Sequence, residues 1–162
     1  MSAILSPCGN FRYRLERVIG STGPVGAFIM VNPSIADAHV NDPTIRRVIN
    51  FAKGFGWSRV IVGNLFAFRS SDIRKLADTA NPTGPDNLEH LKAILQDADV
   101  VVVAWGTVNK LPLSLRSEWH QIVKLAEDTG KTLNCLGTAN DGHPRHPLML
   151  KKDAEPIAWS HP

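Results

Sequence analysis

Four short apolar runs alternate with three stretches of helical periodicity, and that alternation constrains the fold more than any other feature of the chain. The runs are VGAFIMV (Val25 to Val31), RVIVGNLF (Arg59 to Phe66), DVVVVAW (Asp99 to Trp105) and KTLNCLG (Lys131 to Gly137). Helical segments between strands act as crossovers, and crossovers join parallel strands. The pattern therefore predicts a three-layer α/β/α domain with a mainly parallel central sheet, formed by residues 1–162 as one unit. Ahead of it, FRYRLERV (Phe11 to Val18) alternates apolar and charged residues with period two, which predicts an N-terminal antiparallel strand with one wet face.

The helices carry start and stop signals. Asp42-Pro43 reads as an N-cap followed by a proline at the first helical position, after which Ile45, Val48, Ile49 and Ala52 keep one helical face. Gly54 and Gly56 end that helix. The NPTGPDN segment opens a second, with Leu88, Leu91, Ile94, Leu95 and Ala98 as its apolar face. A third carries Leu115, Trp119, Ile122, Val123 and Ala126. The tail beyond Pro147 has no clear period, and Trp159 is the residue expected to pin it to the body.

Composition narrows the function classes. The 162 residues are 43% hydrophobic and 20% charged, which is ordinary for a globular protein. The longest apolar run is far short of a membrane span, and MSAILSPCGN lacks the pattern of a secretory signal, so a soluble cytoplasmic protein is expected, with no membrane partner. Cys8 and Cys135 form no paired motif, which argues against a disulfide framework or a zinc cluster. Eighteen Lys and Arg against fifteen Asp and Glu give a net charge of +3, which favours an anionic partner without requiring one.

Candidate chemistry gathers where the apolar runs end, because ligands of open α/β sheets bind outside the carboxyl ends of the strands. Asn32 and Ser34 follow the first run, Asn64, Phe66 and Arg69 the second, Trp105 the third, and His143, Arg145 and His146 the last. An amide offers an acceptor and two donors in a fixed plane, so Asn32 or Asn64 can hold a water or read a base edge; equally, asparagine is a common turn residue. Asp37 can orient water, act as a base or cap a turn. His146 and His143 can donate to an anion or a developing oxyanion. Two histidines three apart leave a metal site underfilled, and GxGxxG and GxxxxGK[ST] loops are absent, so neither a metal nor a nucleotide cofactor is expected. No serine or cysteine sits in a triad-like motif.

In order, these motifs resemble the uracil-DNA glycosylase superfamily. VNPS at Val31 to Ser34 resembles its first motif, which implies a water-positioning role for Asn32, with Asp37 as an assisting carboxylate. VGNLFAFR resembles the segment whose asparagine reads the pyrimidine edge, which implies that role for Asn64, with Phe66 stacking on an extruded base. VVVAWG resembles the strand before the last helix, and His146-Pro147 resembles the terminal motif whose histidine stabilises the leaving base. Ser34, His143 and Trp105 line the implied substrate site, and Arg69 and Arg145 hold flanking phosphates. The terminal motif departs from the superfamily in reading HPLML where a serine follows His-Pro. NPS-x-AD, DPT, NLFA-x-R, AWG and HPL also resemble a closer bacterial and phage group. The resemblance implies a DNA glycosylase-like hydrolase acting on a damaged or modified base. The alternatives are a non-catalytic nucleotide or modified-base binding module and a hydrolase or transferase of free nucleosides or nucleotides.

Overall fold

The computed structural model describes every residue, Met1–Pro162. Its core is a seven-stranded mixed sheet of β1 (Ser2–Leu5), β2 (Arg12–Val18), β3 (Val25–Met30), β4 (Arg59–Asn64), β5 (Val100–Val103), β6 (Leu133–Cys135) and β7 (Ile157–Ala158), in the order β1-β2-β4-β3-β5-β6-β7. The four strands expected from the apolar runs, β4, β3, β5 and β6, are mutually parallel. Antiparallel strands flank them on both sides, through β2 on β4 and β7 on β6. The edge strands β1 and β7 lie in segments whose sequence carried no period-two signal.

Three helices cover the sheet. α1 (Pro43–Gly54) joins β3 to β4, α2 (Asn87–Asp97) joins β4 to β5, and α3 (His120–Thr129) follows β5. Strand parity decides which layer each side chain enters. Phe28, Met30, Val60, Val62 and Val102 pack with Ile45, Val48 and Phe51 of α1. Ala27, Ile29, Ile61, Val101 and Val103 pack on the other face with Leu91, Ile94, Leu95 and Ile122 from α2 and α3. The sheet is thus covered on both faces. Leu88, expected in the apolar face of α2, is instead 48% exposed, because it sits in the first turn and turns off the sheet.

Asp42 caps α1 as its position before Pro43 indicates: its Oδ1 accepts from the Ile45 N–H at 2.8 Å. After α1 the chain reverses through Gly56, whose φ of 72° lies in the left-handed region that favours glycine.

The expected wet face of β2 is not wet. Arg12, Arg14 and Arg17 are all buried. Ile4 pairs with Arg14 and Leu5 with Arg12, so Tyr13 is an extra residue in the ladder and forms a bulge. The bulge breaks the alternation. Tyr13 stacks on His90 and Arg14 pairs with Asp97, both in the α2 layer. Arg12 and Arg17 face the α1 layer and meet the loop between β3 and α1. Arg12 Nη1 donates to the Ala36 carbonyl at 2.8 Å, and Arg17 donates to the Asp37 carbonyl and to Asn41 Oδ1. Arginine replaces water as the partner of that loop's carbonyls, which a strand pattern cannot reveal.

No helix is long and apolar enough to cross a membrane. The tail returns as β7, and Trp159, 8% exposed, donates its indole N–H to the Gly142 carbonyl at 3.0 Å.

Candidate functional site: a crevice at the strand ends

β3 feeds α1 on one face of the sheet, whereas β5 feeds α3 on the other. The two chains leaving these neighbouring parallel strands diverge, and a crevice opens between them. It has a volume of about 500 Å³, within the range of small-molecule sites. Its walls come from the segments after β3 (Asn32, Ser34), β4 (Ser70, Ser71), β5 (Gly106, Lys110) and β6 (Arg145, His146), with Thr44 at the start of α1.

Asn32 is held by its amide nitrogen. Nδ2 donates to the Ser70 carbonyl at 2.7 Å and to the Pro33 carbonyl at 3.0 Å. Both donors are consumed by backbone, and Oδ1 remains as an acceptor of fixed direction.

His146 is oriented in the opposite sense. It caps the short 3-10 turn Pro147–Met149, where its Nδ1 accepts from the Leu148 N–H at 3.2 Å. In the neutral ring the proton is then on Nε2, so the free edge is a donor. Burial lowers the His146 pKa below its ordinary 6.5, Lys110 lowers it further, and Asp42 opposes them. The backbone around it is pinned from two sides: the Gly106 N–H donates to the Pro144 carbonyl at 2.8 Å and the Arg145 N–H to the Gly137 carbonyl at 2.9 Å. Gly106 has a φ of 82°, so a glycine is needed where β5 gives way to the crevice wall.

Behind the crevice lies a recess of about 40 Å³, sharing Asn32, Ser34, Thr44 and His146 with it and closed by Arg12, Met30 and Asp42. That volume suits one or a few waters. Arg12 is 2% exposed, its Nε has no partner, and burial lowers its pKa to about 10 against the opposing pull of Asp42. Asn64 pairs with Met30 across β3 and β4, and its parity matches Val62, which puts it on the α1 face. It is 1% exposed, and neither its Oδ1 nor its Nδ2 has a partner.

The remaining sequence candidates divide. Ser34 and Arg145 line the crevice, and Arg145 keeps only its Nε engaged, on the Thr138 carbonyl at 2.9 Å. Trp105 lines it too, but is 3% exposed with its indole N–H committed to His143 Nδ1 at 3.2 Å. His143 lies outside the crevice, packed among Trp105, Trp119 and Trp159, and burial lowers its pKa despite Asp141. Asp37 also lies outside. Its Oδ1 accepts from the His39 and Val40 N–H groups, and those bonds hold its carboxyl below the usual range, so it serves its own turn. Phe66 is fully buried in the α2 layer and has no face open for stacking. Arg69 braces the first loop, donating to the Ser34, Ile35 and Gly9 carbonyls.

Sequence reasoning passed over Lys110, Thr44, Ser70 and Ser71. Lys110 lies in a short 3-10 turn and Thr44 in the first turn of α1, and only the crossover geometry brings them to the crevice. Asp141 was missed as well: it accepts from the Thr107 hydroxyl at 2.5 Å and the Val108 N–H at 3.1 Å, tying the β5 and β6 loops together. Burial pushes its carboxyl up, but those bonds and the His143 N–H outweigh it and hold it low. No cluster of three or more His, Cys, Asp or Glu side chains has the geometry to hold a metal ion.

Fold and site together define an α/β protein with a crevice at the switch point of a mixed sheet. Within that class the chain belongs to the family described as "Protein of unknown function (DUF1643)", whose model matches residues 12–148. The match runs from β2 through the His146 turn and takes in nearly all of the crevice wall. No curated protein and no solved structure matches the chain.

Proposed function

We infer that the crevice binds a nucleotide with a damaged or modified base and hydrolyses its N-glycosidic bond, as the resemblance to uracil-DNA glycosylases implies. One observation carries this reading: two loops distant in sequence bring a fixed acceptor, Asn32 Oδ1, and a fixed donor edge, His146 Nε2–H, into one crevice. Base removal asks for that polarity. Water attacks the sugar carbon as the glycosidic bond breaks, and the bond's electron pair leaves with the base. Asn32 Oδ1 accepts from the attacking water and directs its lone pair. His146 donates to the base as negative charge develops there, and its lowered pKa keeps the ring neutral at pH 7. The products are the free base and the sugar hydroxyl, with the water proton passing to solvent or base.

Asn64 enters this reading through its unpartnered amide. A buried amide with no hydrogen bond is costly, and orphaned groups of this kind concentrate at functional sites. Reading a base edge requires the recess to open toward Asn64. Phe66 and Asp37 have no part in the reading.

A second reading is a binding module that recognises the base without cleaving it. It is favoured by the absence of any Asp or Glu from the crevice wall. An amide is not an effective general base, so turnover through Asn32 is slow unless the leaving base is a good one.

Base release from DNA oligomers containing uracil, hydroxymethyluracil and other modified pyrimidines separates the two. Hydrolysis predicts release that is lost in Asn32→Ala and in His146→Ala. Binding without release in the wild type selects the module.

A further inference from the structure

Behind one wall of the crevice lies an aromatic cage with an imidazole inside it. Trp105, just past β5, forms part of that wall. Trp159 of the tail backs it edge-on, with ring centroids 5.2 Å apart, and Trp119, just ahead of α3, closes the cage 6.0 Å from Trp159. His143 packs against all three and is 4% exposed. The hydrolysis proposed for the crevice makes no use of it.

The His143 ring makes one hydrogen bond, and its polarity is fixed. An indole N–H can only donate, so Nδ1 accepts from Trp105 at 3.2 Å and the neutral ring carries its proton on Nε2. Protonation adds a hydrogen to Nδ1 and sets two donors against each other. One of them has to leave. The tail is the lightly held side of the cage: β7 is a two-residue edge strand on β6, followed by the Trp159 N–H on the Leu133 carbonyl at 2.9 Å and its indole on the Gly142 carbonyl at 3.0 Å.

Charges face the ring from three elements. Burial disfavours the imidazolium most, Asp141 on the same loop favours it, and His120 at the head of α3 opposes it. His120 stacks on Trp119 at 3.8 Å, and His161 of the tail lies 5.7 Å from the same ring. β5 presents only the Trp105 indole. Outside the cage, Glu127 and Lys131 share a hollow with Trp159 and His161 and carry opposite charges that offset each other. As acid charges the three imidazoles they repel across Trp119. Releasing the tail lets water reach His143 and carries His161 away.

We propose that His143 is a proton-controlled latch: neutral, it accepts from Trp105 and keeps the tail seated behind the crevice wall; protonated, it gives up that bond and frees residues 157–162. Trp105 then loses its backing, and the crevice loosens on the side where the Gly106 N–H holds the Pro144 carbonyl.

The test is hydrogen exchange in the nitrogen-15-labelled full chain at pH 7.5 and 5.5, corrected for intrinsic rates. With an ordinary pKa of 6.5 in the open state and a lower one in the closed state, opening increases by up to about tenfold at pH 5.5. The Trp105 indole N–H and the Trp159 backbone N–H lose that protection together. About 1 M urea changes neither rate by more than about twofold, because a local opening exposes little surface. His143→Gln keeps an acceptor for the indole and takes up no proton, so its acid loss stays under about twofold. Exchange unchanged by acid, exchange that urea accelerates as it does core amides such as Val62, or an equal acid loss in His143→Gln overturns the latch. Nitrogen-15 shifts of the wild-type imidazole decide the matter even where the variant does not fold. A neutral ring protonated on Nε2 at pH 7.5 supports the latch, and one protonated on Nδ1 overturns it.

Discussion

Replacing Asp42 separates two forces that meet at the base of the crevice. Its Oδ1 caps α1 through the Ile45 N–H at 2.8 Å, and its charge offsets part of the burial cost of Arg12. Asp42 is 7% exposed, so water does not substitute readily for either role. Asn is as good an N-cap as Asp, whereas Ala loses the cap at a cost of about 1 kcal/mol. The charge acts on Arg12 beyond direct ion-pair contact, which at an effective dielectric near 20 is worth about 1–2 kcal/mol. Asp42→Asn therefore loses only the charge contribution, and Asp42→Ala loses about 2–3 kcal/mol. For a domain of this size each kcal/mol moves the thermal midpoint by about 2–4 °C, so the Ala variant melts about 2–4 °C below the Asn variant. Calorimetry at pH 7 measures both midpoints, and urea titration checks that the m-value is unchanged. Coincident midpoints for the two variants would refute the cap argument. A wild-type midpoint in Asp42→Asn would refute the electrostatic one.

Both His143 and His146 have pKa values below the ordinary 6.5, so the unfolded chain binds their protons first as pH falls. Their stabilisation is complete above about pH 6.5 and is lost as pH drops toward the folded values. Thermal midpoints at pH 7.5 and 5.5 measure that loss, which shrinks in His143→Gln if His143 contributes; an equal loss in the variant counts against it. Trp159→Ala removes a buried indole and its bond to Gly142, at a cost of about 3–5 kcal/mol, while Trp159→Phe loses only about 1 kcal/mol. Chemical denaturation ranks the two. A Cβ at Gly26 would run into the Trp57 ring, so Gly26→Ala costs about 1–3 kcal/mol, and a wild-type melting curve would show that Trp57 yields freely.

The parallel core was legible because its signals are local. β3 to β6 are apolar runs, and Asp42-Pro43 marks the start of α1 by short-range chemistry alone. The loops that end those strands were legible as crevice walls for the same reason. What failed was whatever depends on a partner distant in sequence. A period-two pattern in β2 says that Arg12 and Arg14 share a face. It cannot say that loop carbonyls meet Arg12, or that a bulge at Tyr13 breaks the period and sends Arg14 to the other layer. Asn64 and Phe66 lie two residues apart in one motif, yet the first is buried in the α1 layer and the second in the α2 layer. Asp37 needed its neighbours' N–H groups on view before a turn could be told from a base. Lys110 carried no motif at all.

The bulge at Tyr13 makes β2 sensitive to phase rather than to composition. Because one extra residue sets which layer Arg12 enters, removing it keeps every arginine in the chain and still turns Arg12 away from the Ala36 carbonyl. The loop that positions Asn32 and Ser34 would lose a support while no residue of the crevice had changed. Length in β2 is thus a specification in its own right: side-chain swaps there are graded in effect, whereas a one-residue deletion is all-or-none.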